Sequence, residues 1–162
     1  MKESLFLLPI AVFYLAVEST LFPNMPLPDV PLLFVFFMAW KRPGIEGVLL
    51  AFALGYIDDA FNGGIIGSTS FALALVFLSA HLLSKRIHFS TPAARAAGAG
   101  GLRLLKGLFL YLVLKSAGLK AGGFPRLFFE ILLTAAFAPF AIALLNRFCA
   151  FINPHAYKDS AN

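Results

Sequence analysis

Charge is the scarcest material in this chain. It has 8 acidic and 13 basic residues among 162, against 60% hydrophobic residues. A soluble domain of this length needs a charged exterior, and 13% charged residues do not furnish one. Cysteine is nearly absent too. The single Cys149 stands in an apolar run, which excludes an intramolecular disulfide and a thiolate cluster and leaves a small hydrophobe. The three histidines, His81, His88 and His155, have no metal-ligand spacing. There is no serine–histidine–acid order, no nucleotide fingerprint and no chain of mid-membrane acids. No Gly-Lys-Ser/Thr follows Gly63, Gly64 and Gly67, so these form no phosphate loop. Enzyme chemistry has no visible carrier, and neither a cofactor nor a metal is expected.

What is present is apolar bulk, with 19 phenylalanines and a mean hydropathy of +0.85. It is divided into six segments, over about 4–22, 30–40, 45–57, 65–83, 102–117 and 124–151. A bilayer solvates such surfaces, and a spanning helix needs roughly 20 residues, so about six spans use nearly the whole chain. The expectation is an all-α integral membrane protein, one membrane domain over 1–162, its helices in a compact bundle. The apolar start after Lys2 lacks a small-x-small cleavage site, and Glu18 and Pro23 stand where one would fall, so it reads as a retained span.

The breaks between segments carry the punctuation. Pro23, Pro26 and Pro28 stop the first segment, since proline removes a backbone donor and disfavours helix in the residue before it. Pro31 fits the first turn of the second segment. The third leads into Asp58-Asp59 and the turn Asn62-Gly63-Gly64. Ser90 to Gly101 reads as a polar, small-residue linker, and Pro139 as a kink in the last segment.

Orientation follows from the positive charges. With the N-terminus inside, the inner side receives Lys2, Lys41, Arg42, Lys85, Arg86, Arg95, Arg147 and Lys158, and the outer side Lys115, Lys120 and Arg126. This favours both termini in the cytoplasm. The net charge of +5 then marks topology and anionic-lipid contact, not nucleic acid.

Glu18, Asp29, Asp58, Asp59 and Glu130 all fall at outer ends. Asp58 follows Gly55 by three residues, which puts a carboxylate on one helix face with a residue that admits a close backbone. An intramembrane acid is a functional candidate, and the bland reading is an interfacial turn. Glu130 follows Arg126 by four residues and pairs with it or with Lys115. Arg103 and Lys106 snorkel to the inner surface on long stems or make a protein-facing contact.

Residues 28 to 86 hold an ordered set: Pro28-Asp29, then Lys41-Arg42-Pro43-Gly44, Gly55-Tyr56-Ile57-Asp58, Phe61-Asn62-Gly63-Gly64 and Gly67. That set resembles the bacterial rod-shape-determining MreD family. The resemblance implies a non-enzymatic scaffold of the cell-elongation complex in the bacterial cytoplasmic membrane. It would bind an MreC-like single-span protein and support lateral peptidoglycan synthesis and rod cell shape. It would act with a RodA-like glycosyltransferase, a penicillin-binding transpeptidase and, indirectly, an MreB-like cytoskeleton. The implied fold is similar to the S component of energy-coupling-factor transporters. Carried over onto this chain, Pro28, Asp29, Gly55, Asp58, Gly63 and Gly67 would shape an outer-facing pocket or bind the partner, with Asp58 as polar anchor. Two rivals stand beside it. One is a vitamin-binding S component itself, with a ligand pocket around Asp58 and Glu130. It also needs a small-residue docking face on the first segment, where Ala11 and Ala16 do not share a close helical face. The other is a lipid-modifying enzyme, which needs clustered acids or histidines.

Overall fold

The computed structural model describes residues 2–21, 27–41, 44–62, 65–86, 91–118 and 124–152. These form six helices: α1 (Lys2–Leu21), α2 (Val30–Lys41), α3 (Ile45–Asn62), α4 (Ser68–Ser84), α5 (Pro92–Ser116) and α6 (Phe124–Ile152). No strand occurs among the described residues.

The shortest segment is the centre of the bundle. α2 has no polar residue before Lys41, and every residue from Pro31 to Ala39 is buried. A helix that is apolar on all sides has no face to offer to water and packs all round. Accordingly α2 touches each of the other five helices. At 12 residues it is roughly 18 Å long, short of the roughly 30 Å hydrocarbon core. The largest fully buried side chains include Phe36, Leu32, Leu33 and Val35 of α2, and Leu15, Leu54, Leu73 and Ile142 from four other helices.

The outside of the bundle is apolar as well. Phe13, Ile45, Phe71, Leu108, Phe128 and Phe140 are all exposed. Two helical stretches, Pro92–Ser116 and Leu127–Phe148, are long and apolar enough to cross a membrane. α6 continues as one helix through Pro139, and α1 through Pro9.

Two boundaries differ from the sequence expectation. The third segment does not stop at Ile57: α3 runs on to Asn62 and carries Asp58 and Asp59 on helical turns. Asp58 reaches Lys106 of α5 and Asp59 the start of α4, so the two acids belong to the bundle and not to a turn. The stretch read as a linker is the first half of α5. Thr91 caps it, its hydroxyl accepting from the Ala94 N–H at 3.2 Å, and Pro92 takes the first helical position. The small residues that looked like a linker are packing residues, with Gly98, Ala99 and Gly100 buried. A Cβ on Gly100 would lie 3.3 Å from Ala135 of α6.

The small residues of α3 serve α4 in the same way. Gly47, Ala51, Gly55 and Asp59 recur every four residues and are all buried. At Gly55 the two backbones are so close that a Cβ would stand 2.4 Å from the Ser70 Cα and 2.5 Å from its nitrogen.

Candidate functional site

The correction at α5 moves two cations. With the helix beginning at Pro92, Arg103 lies eleven residues in, roughly 16 Å along the axis. Snorkelling to the inner surface is therefore not what these side chains do. Lys106 is buried, with 4% of its surface exposed, and Arg103 is nearly so. A buried ammonium is tolerable only if opposite charge surrounds it.

That charge comes from two helices, α3 and α6, and the connection before α2. The Lys106 ammonium donates to Asp29 Oδ2 at 2.6 Å and reaches Asp58 Oδ2 at 3.5 Å. Arg103, one turn earlier on α5, lies with its Nε 3.5 Å from the same Asp29 oxygen and pairs through its terminal nitrogen with Glu130 of α6. The Nε–H makes no hydrogen bond, so its contact with Asp29 is ionic only. Glu130 thus pairs with Arg103 across helices, and not with Lys115, which lies over the Tyr111 ring at 6.0 Å. The side chain of Arg126 lies outside what is described.

Asp29 is the hub. Its Oδ1 accepts from the Leu32 N–H at 3.0 Å, which makes it the N-cap of α2 while Oδ2 holds the cations. Pro31 stands in the same first turn, where its missing donor costs nothing. The Asp29 N–H donates to Thr134 of α6 at 3.1 Å, and the Pro28 carbonyl accepts from the Tyr14 hydroxyl of α1 at 2.9 Å. One dipeptide therefore ties α1, α2, α5 and α6 together.

Asp59 does a different job from its neighbour. Gly67 sits at the start of α4 with φ at 96°, in the left-handed region that favours glycine, and has no side chain to cap with. Asp59 supplies the cap from α3. Its Oδ2 accepts from the N–H groups of Gly67 at 2.8 Å and Thr69 at 3.0 Å, and its Oδ1 from the Ser68 hydroxyl at 3.4 Å. The negative charge also suits a helix N-terminus.

The cluster borders a cavity of about 410 Å³. Glu18, Asp29, Asp58, Arg103, Lys106 and Glu130 line it, together with Leu15, Leu27, Leu110 and Leu114. Asn62 and Ile65 place it at the end of the bundle where α3 turns into α4.

Of the residues singled out in the sequence, Asp29 and Asp58 meet at Lys106, and Pro28 is held beside them. Asp29 makes the shorter contact, so the cation is centred on it and not on Asp58. Gly55 and Gly67 lie away from the charges, at the α3–α4 contact and the α4 cap. Gly63 lies outside the described residues. Tyr14, Thr134 and Asp59 emerge as partners only in the structure, and of the two readings of Arg103 and Lys106 it is the protein-facing contact that holds. The signal that would have placed the cations was Thr91-Pro92, a capping residue followed by a first-turn proline.

Among the described residues no group of His, Cys, Asp and Glu could hold a metal ion. The cluster's chemistry is electrostatic and structural: it joins helices and lines a polar cavity. No curated protein and no solved structure matches the chain. Residues 3–148 match the family described as rod shape-determining protein MreD. That match spans almost the whole chain, and so this protein belongs to the MreD family of membrane proteins that determine rod cell shape.

Proposed function

We propose that the protein is a non-enzymatic scaffold of the cell-elongation complex, with six membrane spans and both termini in the cytoplasm. It binds an MreC-like single-span protein and through it supports lateral peptidoglycan synthesis by a RodA-like glycosyltransferase and a penicillin-binding transpeptidase. An MreB-like filament is engaged indirectly. The observation that carries this reading is the family match over residues 3–148, joined to a charged cluster whose members are occupied in fastening helices. The apolar exterior agrees with it, since helices associate in lipid through close packing and a few polar contacts. The bundle would share the architecture of energy-coupling-factor S components, with Pro28, Asp29, Gly55, Asp58, Gly63 and Gly67 shaping its outer end.

Affinity co-purification of the tagged protein from native membranes in mild detergent tests the reading. Recovery of an MreC-like protein with the wall-synthesis enzymes is expected. Recovery of ATP-binding-cassette subunits with a coupling protein in their place would make it a transporter component. Asp58→Ala is expected to insert normally, because Lys106 keeps Asp29, and to recover less partner; undiminished recovery would remove Asp58 from the partner contact.

A further inference from the structure

The charges around the cavity do not balance. Asp59 is satisfied by the start of α4 and stands apart. Among the described residues the remaining carboxylates are Glu18, Asp29, Asp58 and Glu130, set against Lys106 and Arg103. Arg103 answers Glu130, and Lys106 answers Asp29 at 2.6 Å, which leaves Asp58 with a share of Lys106 at 3.5 Å and the Asn62 amide. Glu18, on α1, lines the same cavity and has no hydrogen bond or ion pair among the described residues. A carboxylate without a partner inside a membrane bundle either takes up a proton or calls for a cation.

Shape is a separate observation and points the same way. The space beside these carboxylates, about 410 Å³, is within the range of small-ligand sites. Its lining joins these polar side chains to Leu15, Leu27, Leu110 and Leu114. An anion is the wrong guest, because both cations already hold carboxylates. A neutral apolar guest would leave the polar lining unmet.

We propose that this cavity binds a protonated amine or guanidinium on a short apolar stem, its cationic head against Glu18 and Asp58 and its stem along the leucines. Two sources present that chemistry: a free organic amine, or a lysine or arginine side chain of an associated protein. The binding step is tested on the purified protein alone, so it stands or falls apart from the scaffold reading.

The probe is n-butylammonium, with n-butanol as the uncharged isostere and sodium chloride as the ionic-strength control, in phosphate buffer because Tris is itself an amine. The fluorescence of Trp40, the single tryptophan, reports unfolding in detergent. A saturable rise of Tm with butylammonium alone is expected, and its loss in Glu18→Gln, which folds normally because Glu18 anchors nothing. No amine-specific rise, or an equal rise in Glu18→Gln, overturns the proposal. A stem-only effect would appear with butanol and overturns it as well. Given the amine effect, co-purification of Glu18→Gln separates the sources: loss of a partner assigns the head group to a basic side chain of that partner, and an unchanged complex assigns it to a free amine.

Discussion

Lys106 and Asp29 show how a membrane bundle uses a pair of charges it cannot leave exposed. Each is nearly inaccessible, and each is tolerated because the other is there. Removing one partner leaves a buried charge uncompensated, which costs about 3–5 kcal/mol. Lys106→Met is therefore expected to lower thermal stability in detergent sharply. Lys106→Met combined with Asp29→Asn is expected to recover part of the loss, since asparagine still caps α2 and only Asp58 then lacks its cation. Equal damage in the single and double variants would mean that the pair matters for something other than mutual neutralisation. Asp59 makes a cleaner residue-scale case. Asp59→Ala removes acceptors from the Gly67 and Thr69 N–H groups and is expected to cost about 1–2 kcal/mol, with Asp59→Asn milder, measured by the same unfolding transition.

At the scale of elements, closeness of approach decides which glycines matter. Gly55 meets the α4 backbone, so Gly55→Ala forces α3 and α4 apart and is expected to destabilise by about 1–3 kcal/mol. Gly101, also in mid-helix, has nothing within 4 Å of where its Cβ would be. Gly101→Ala is expected to stabilise by about 0.5–1 kcal/mol, because alanine loses less backbone freedom on forming helix. Thermal unfolding of the two variants side by side checks both signs. The same contrast explains what could be read in advance. Each apolar segment between proline or glycine breaks is a helix here, as hydropathy and punctuation imply, and Asp29 and Asp58 stood out as acids beside apolar runs. The first half of α5 did not, because alanine and glycine look alike in a linker and in a tightly packed helix. Only the facing residues, such as Ala135 beside Gly100, distinguish the two. That single boundary set the depth of Arg103 and Lys106, so the charge cluster was out of reach of the sequence although its acids were visible. Thr134 and Tyr14 carry no signal of their own, since a hydroxyl in an apolar helix has no preferred partner until the neighbouring backbone is placed.

At the scale of the whole molecule, the cluster and the basic residues divide the bundle between them. Lys41 ends α2 and Lys85-Arg86 end α4, at the far end from Asp58, Asn62 and Ile65 beside the cavity. Trp40 joins that basic end, with the Lys41 ammonium 4.9 Å and the Arg95 guanidinium 5.4 Å from its ring centre. A tryptophan among cations suits the interfacial layer of a membrane, and cations collect on the cytoplasmic side. In the proposed orientation, with both termini in the cytoplasm, the acids and the cavity would open outward, toward a partner or a free amine outside the cell. The single cysteine makes this orientation testable. In a Cys149→Ser background, Ala121→Cys between α5 and α6 is expected to react with a membrane-impermeant maleimide on intact cells. Ser160→Cys beyond α6 is expected to react only after permeabilisation. The reverse pattern would turn the cavity toward the cytoplasm and its cationic guest into a cytoplasmic one; labelling of both on intact cells would place the two ends of α6 on the same side, and the bundle would then have an odd number of crossings.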